Sequence, residues 1–270
     1  MECYYINVDG ENGRRQFLEA NFSQYRLPGW NLTRVGAVNF ASLKKMGVKG
    51  GLQDAEKSCF LSHRKAIEQS LLLQGHALIL EDDAMFGPRS CECTTNAVET
   101  FPSEDWDLIF TDVGIYNAPL MSSLLQLRRE LQQDQQMLLK LSDLAFYGAC
   151  AYVVNERSKE RLLKMLDVDT LDVPYDVFLR DLIQAGQLRA FVAFPFCTSI
   201  SPHAEHTQIQ FNNATTDLVF SAFRRFIWIH RDLETAVAPL EQLGPDFVDA
   251  ETRAFARILA AAQSTNLQLK

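Results

Sequence analysis

The sequence predicts an α/β protein, a sheet flanked by helices, followed by a helical C-terminal extension. Three observations lead there. Short apolar, β-branched runs alternate with segments of helical period; two of the runs end abruptly in acids; and Gly-containing stretches separate the elements. With 270 residues, 47% of them hydrophobic and 22% charged, the chain is long enough for a sizeable core and too apolar to be disordered.

Residues 4–8 form a buried strand that runs into the polar turn Asp9-Gly10-Glu11-Asn12-Gly13. The next segment, 14–23, carries Phe17, Leu18 and Phe22 at helical spacing, so a βα unit opens the chain, and residues 29–35 return as a second strand. After Gly47, Gly50 and Gly51, residues 54–73 place Phe60, Ile67 and Leu71 near one helical face, with Asp54 or Ser58 as cap. Gln74-Gly75 stops that helix. Four apolar residues, 77–80, then run into Glu81-Asp82-Asp83, the pattern of a central strand buried on both faces with a polar end. Residues 107–111 are a similar strand ending at Asp112.

Further along, residues 116–143 have no clear period and read as a helical insertion or a lid. A strand over 147–154 is followed by a helix over 157–166. Pro174 opens another helix, in which Phe178 and Leu182 are four apart. Residues 189–196 are a last strand, and 197–217 a polar loop with His203 and His206. The sheet domain is expected to span 1–217 and the helical extension 218–270, with amphipathic helices over 218–230 and 251–262 covering the sheet or docking on a partner.

A formal net charge of −8 opposes general nucleic-acid binding, which needs a basic face to neutralise phosphates. No apolar run approaches the ~18–20 residues needed to cross a bilayer, and residues 1–9 do not resemble a secretory signal. The expected location is therefore the cytoplasm. Six cysteines without a CxxC pair are expected as reduced thiols, and Cys91-Glu92-Cys93 reads as a surface loop before it reads as a metal site. The run 224–231 mixes basic and aromatic residues, which suits peripheral contact with the inner face of an anionic membrane through 218–231; a helix packed on the core explains the same residues with fewer assumptions.

The acidic triplet carries most of the chemistry. In an extended chain Glu81 and Asp83 would point the same way, ~7 Å apart, and Asp82 the other way. Acids at the carboxyl end of a buried strand stand where open α/β sheets bind ligands, and their hard oxygens suit Mg²⁺ or Mn²⁺ on a diphosphate. The plain alternative is a solvated strand end. A metal-dependent phosphotransferase or phosphohydrolase also ends an apolar strand in acids, but places its key acid on an early strand. A binding module that keeps the fold without turnover fits the same residues.

Three motifs occur in a telling order: Tyr5-Ile6-Asn7-Val8-Asp9 followed by Arg14-Arg15; Ser58-Cys59-Phe60-Leu61-Ser62-His63; and Ala77-Leu78-Ile79-Leu80-Glu81-Asp82-Asp83-Ala84. Together they resemble glycosyltransferase family 25, most strongly over residues 3–113, and more thinly over 147–154 and Pro174-Tyr175-Asp176. Ser58 departs from the glycine that relatives carry before the cysteine. The resemblance implies a GT-A-like mixed sheet and an inverting transfer of a hexose, galactose first, from a nucleotide sugar such as UDP-galactose to a glycan of lipooligosaccharide type. It implies Mn²⁺ or Mg²⁺ on Asp83 and Glu81, with Asp82, Asn7 and Asp9 near the nucleotide and Arg14 or Arg15 on phosphate.

Ser62 and His63 join the donor site by the same motif, although a hydrogen-bonded core histidine would show the same helical spacing. Transfer also needs a base for the acceptor hydroxyl. Asp176, which follows Pro174 at a helix start where GT-A enzymes commonly place this acid, is the first choice, with Asp112 and Asp181 behind it; a helix-start acid favoured by the dipole is its competing role. His203 is the expected further metal ligand, and His206 its alternate.

Overall fold

The computed structural model describes residues 1–132, 135–202, 214–230, 233–244, 248–262 and 264. The opening βα unit is present as strand β1 (Glu2–Asn7) and helix α1 (Asn12–Tyr25), followed by β2 (Asn31–Gly36). A short helix α2 (Phe40–Met46), capped by Asn39 through Ser42 N–H, precedes α3 (Asp54–Ser70). The start of α3 is set by Glu56, which accepts the Gln53 N–H at 2.9 Å, rather than by Asp54 or Ser58. Strand β3 (Ala77–Glu81) then enters the sheet, and β4 (Ala84–Met85), α4 (Ser90–Glu99) and β5 (Leu108–Phe110) follow.

The remaining elements are α5 (Ala118–Glu130), β6 (Met137–Lys140), β7 (Ala151–Val154), α6 (Lys159–Met165), α7 (Tyr175–Gln184), β8 (Ala190–Phe194), β9 (Ser199–Ile200), α8 (Ala214–Ile227), α9 (Leu233–Val237) and α10 (Ala250–Ala262). Seven strands form one mixed sheet in the order β2-β1-β3-β7-β5-β8-β6, and β4 pairs with β9 in a separate two-stranded ribbon. Strands β2, β1 and β3 are parallel, as are β5 and β8; β7 runs antiparallel between β3 and β5. The α/β class and the sheet flanked by helices are as the sequence predicts.

Alternation along β3 explains its unbroken apolar run. Ala77 and Ile79 pack into one core with Phe60, Ile67 and Tyr152, while Leu78 and Leu80 pack into a second core on the opposite face with Leu18, Phe86 and Trp106. All four are fully buried, so the strand is central and its acids mark where it leaves the interior. A close backbone approach fixes the segment before α3: a side chain at Gly50, whose φ is +114°, would collide with the Leu171 backbone at 2.1 Å.

Several sequence expectations need correction. Within 116–143 the helical alternative holds for α5, which packs through Leu124, but no strand was expected there: β6 is the edge strand beside β8, its short apolar run too brief to show a period. Cys91 and Cys93 are not in a surface loop, since both are buried on α4. The strand expected over 147–154 begins only at Ala151. Helix α8 starts at Ala214 and runs through the position where the domain boundary was expected. Residues at its end and just beyond it face the interior: Arg224, Arg225, Ile227 and Trp228 are buried, Arg225 donates to the Ser201 carbonyl at 3.2 Å, and Trp228 Nε1 donates to the Cys197 carbonyl at 3.0 Å. The peripheral membrane face expected over 218–231 thus loses these side chains to the core; Arg231 lies outside the described residues. Helix α10 does not cover the sheet, because none of its residues is buried. No described helix is long and apolar enough to cross a membrane.

Candidate active site

The carboxyl ends of β1, β3 and β5 and the start of the antiparallel β7 meet at one edge of the sheet, and the polar residues that leave these strands meet there too. Chain direction turns after Glu81, so the extended alternation expected for the triplet does not apply. Arg14 on α1 instead gathers both following acids: its Nη2 donates to Asp83 Oδ2 at 2.9 Å, and its Nε lies 2.8 Å from Asp82 Oδ1 as a charge contact outside hydrogen-bond geometry. Asp82 is buried, and its other oxygen accepts from Asn7 Nδ2 at 2.8 Å. Arg34 on β2 completes this corner by donating to Asn7 Oδ1 at 3.0 Å and contacting Asp9 at 2.5 Å. Arg15, the alternate to Arg14, pairs with Glu19 one turn on, away from the acids.

Glu81 is held from the other side. His63 Nε2 lies 3.1 Å from Glu81 Oε1, and its Nδ1 lies 3.0 Å from the Tyr152 hydroxyl, which contacts the Tyr175 hydroxyl at 2.7 Å. The imidazole also stacks on the Tyr175 ring, centroids 4.1 Å apart and nearly parallel at 6°. His63 is therefore both readings at once: a buried, hydrogen-bonded histidine and a direct neighbour of the acid cluster. Ser62 is otherwise engaged, since its hydroxyl accepts from Val38 N–H at 2.8 Å and donates to the Ser58 carbonyl at 2.6 Å. It shapes the wall and has its hydrogen bonds filled by backbone.

A cleft of about 220 Å³ opens over these groups, lined by Asp9, Arg14, Cys59, Ser62, His63 and all three acids, with apolar walls from Ile6, Val8, Val38 and Phe40. An apolar cleft with a few convergent polar groups is the usual form of a small-molecule site. Asp83 is held from two sides: besides the Arg14 contact, its Oδ1 accepts from the Cys150 thiol at 3.1 Å, just before β7.

Electrostatics set the three acids apart. Burial, opposed by Arg14 and Asn7, pushes Asp82 up to about 6. Burial and the nearby Glu81 charge also raise Asp83, more than Arg14 and Arg224 lower it. Burial works on Glu81 in the same sense, but the His63 hydrogen bond and charge, with Arg14 and Arg224, bring it below the ordinary carboxylate value. Burial, reinforced by Glu81, Asp176 and Asp83, holds the Cys59 thiol well above its usual range. The ionised forms of Asp82 and Asp83 are thus disfavoured at this edge, while that of Glu81 is favoured.

Asp112, beyond β5, adds a fourth acid. It is fully buried and pairs with Arg224 of α8, leaving Asp112 Oδ1 and Arg224 Nε without hydrogen-bond partners. Asp176 sits in the first turn of α7, half-buried, where Oδ2 accepts the Gly148 N–H at 2.8 Å. It stands next to Tyr175 but does not line the cleft. Asp181 is exposed farther along α7. His203 and His206 lie outside the described residues.

A family model described as glycosyltransferase family 25 (LPS biosynthesis protein) matches residues 1–179, from β1 into α7. The chain belongs to glycosyltransferase family 25. It is therefore a glycosyltransferase, with a sugar donor and a glycan acceptor as its reactants. The family match takes in Asn7, Arg14, His63, the acidic triplet, Asp112 and Asp176, and ends before Arg224.

Among solved structures, the galactosyltransferase LgtC in complex with donor and acceptor sugar analogs is similar at 12% identity and a TM-score of 0.39, over 71% of this chain and 73% of that one. An active-site mutant of LgtC gives 0.35 at 12% identity, over 71% and 72% of the two chains. The inositol-1-phosphate CTP transferase from T. maritima gives 0.32 at 14%, over 82% and 95%. At such TM-scores the likeness decides nothing about chemistry. No curated protein matches this chain significantly.

Within this family 25 member, sequence reasoning passed over Arg34, Tyr152 and Arg224. Arg34 and Tyr152 lie inside strand runs that read as structural. Arg224 belongs to a run whose basic and aromatic mixture suggested a surface; the signal that points inward is the helical spacing of Arg224 with Ile227 and Trp228.

Proposed function

We propose that this glycosyltransferase moves a hexose, galactose first, from a nucleotide-diphosphate donor to a hydroxyl of a lipooligosaccharide-type glycan, with inversion and with Mn²⁺ or Mg²⁺ at Asp83 and Glu81. One observation carries the metal and the donor class together. Four carboxylates, Glu81, Asp82, Asp83 and Asp112, gather at this edge, and among the described residues two guanidinium groups, Arg14 and Arg224, face them. Fully ionised, the set has an excess of two negative charges, which one divalent cation balances. The donor set is mainly hard oxygen, as these ions prefer. When bound, the cation neutralises charge on the leaving diphosphate.

The chain's own groups do the rest. Asp9 and Arg14 border the cleft beside the acids, where the nucleotide and its phosphates are proposed to lie; Asn7 acts from behind by holding Asp82, and His63 orients the Glu81 carboxylate. Asp176 is proposed as the base that takes the acceptor proton while the hydroxyl oxygen attacks the anomeric carbon and the bond to the diphosphate breaks. A single displacement of this kind inverts the centre. Asp112 is the poorer base because it is fully buried and already paired with Arg224. With Asp176→Asn, kcat is expected to fall by roughly 10²–10⁴-fold with donor binding little changed. A rate within a few-fold of wild type would assign the proton to another acid.

The donor class is tested by thermal stabilisation. UDP-galactose at about 100 times its Kd should stabilise the protein by about 2.7 kcal/mol when Mn²⁺ is present, and much less in chelator. Equal shifts with and without the metal would count against the site, and a larger shift with another nucleotide sugar would replace galactose.

A further inference from the structure

We propose that Cys59, His63 and Glu81 form a soft-metal site in the cleft that takes Zn²⁺ or another thiophilic divalent cation, in contrast to the hard ion proposed for the acid cluster. The site shares Glu81 with the proposed donor site and does not rest on that reading. Cys59 and His63 are four residues apart on α3, so they stand one above the other on the same helical face. Glu81 meets them from the end of β3. One ligand atom from each of the three lies within 4.8 Å of the other two, and all three residues line the cleft.

The His63–Glu81 distance and the outer contacts of His63 fit a metal site. His63 Nε2 and Glu81 Oε1 are 3.1 Å apart, close to the about 3.3 Å that separates two ligands on a tetrahedral zinc with bonds of ~2.0–2.1 Å. The other ring nitrogen is already committed. Nδ1 contacts the Tyr152 hydroxyl at 3.0 Å, that hydroxyl contacts Tyr175, and the flat stack on Tyr175 holds the ring so that Nε2 faces Glu81. Metal-bound histidines are held in this way through their second nitrogen, which sets the tautomer. Here Nδ1 would carry the proton and donate to Tyr152, leaving the Nε2 lone pair for the ion.

The donor set decides the class of ion. Thiolate, imidazole and carboxylate together suit zinc and its neighbours, whereas Mg²⁺ prefers an all-oxygen shell. Three protein ligands beside a cleft leave a fourth position for water or another small ligand. Binding converts the Cys59 thiol to a metal thiolate and releases its proton to solvent, so charge and atoms balance without any redox step. Occupancy also draws on Glu81, and so opposes the use of that carboxylate by a hard cation.

Cobalt(II) is the probe, because its bond to a thiolate absorbs in the near ultraviolet. Titrated into the full chain, Co²⁺ should give one equivalent with a thiolate charge-transfer band, which one equivalent of Zn²⁺ abolishes. Cys59→Ser should lose the band and weaken Co²⁺ at least tenfold in competition with a chromophoric chelator. A wild-type titration without the band, or a band that persists in Cys59→Ser, overturns the proposal. Should Cys59→Ser not fold, Glu81→Gln takes its place: the isosteric amide should weaken Co²⁺ at least tenfold, and unchanged affinity overturns the proposal equally. Because the bound ion itself is read, failure here is separate from failure to bind or transfer a sugar.

Discussion

Asp83→Ala is expected to reduce Mn²⁺-dependent nucleotide-diphosphate binding to the level seen in chelator, a loss on the order of 100-fold or more, since even partners in a metal's outer shell contribute about 10–100-fold. Asp83 is the acid whose oxygens face both Arg14 and the Cys150 thiol, at the centre of the charge network. The fold should survive the change. Burial and Glu81 raise the proton affinity of Asp83, which means that its ionised form is disfavoured in the folded protein. Removing it relieves that repulsion and leaves Arg14 with Asp82, so the melting temperature of the metal-free variant should stay level or rise. Calorimetry with and without Mn²⁺, beside a melting curve, separates a lost ligand from a lost fold. Metal-independent nucleotide binding of equal strength in the wild type would sink the assignment.

Arg224→Met is expected to have the opposite signature, a large loss of stability. Asp112 is fully buried and Arg224 is its ion-pair partner. Breaking a buried pair by removing one member typically costs about 3–5 kcal/mol, because the remaining charge stays desolvated. For a chain of this size that corresponds to a fall in Tm of roughly ten degrees. Asp112→Leu combined with Arg224→Met removes the stranded charge and should recover most of the loss. A double variant no more stable than Arg224→Met would mean that the pair is not the source. The two arginines thus differ in kind: Arg14 borders the cleft, while Arg224 supplies countercharge from within the core.

This second prediction bears on the boundary expected at 217. Arg225 and Trp228 tie the end of α8 to the segment around β9, while Arg224 pairs with Asp112 beyond β5 and lowers the proton affinity of Glu81 and Asp83. Charge balance at the acid cluster therefore draws on a residue well past the 1–179 span of the family match. The helical extension includes part of the site's electrostatics, through Arg224.

Much of the fold was legible locally. The opening βα unit, the helix over α3 and the strand over β3 announce themselves because burial on one or both faces imposes a period of two, of 3.6, or an unbroken apolar run. Where neither period is strong the reading failed: β6 is four residues long, β4 two, and α4 begins with Ser and Cys residues that look like a loop until the second core closes over them. The acids were equally visible, as the end of an apolar run. Their mutual geometry was not, because it depends on a turn after Glu81 that the alternating pattern of a strand does not anticipate.

By itself, the sequence determined the order of the elements, the central place of β3, and the three motifs whose order marks family 25, since these are encoded by residues near one another along the chain. Only the tertiary structure decided which side chains meet. Arg14 rather than Arg15 reaches Asp82 and Asp83 because the helix turns one guanidinium towards the strand ends and the other towards Glu19. Asn7 meets Asp82 because β1 lies beside β3, and Asp112 comes to the same edge because β5 lies one strand further on, across β7. Those contacts span 68 to 75 residues of sequence, and no local period can specify a partner at that distance; strand order does.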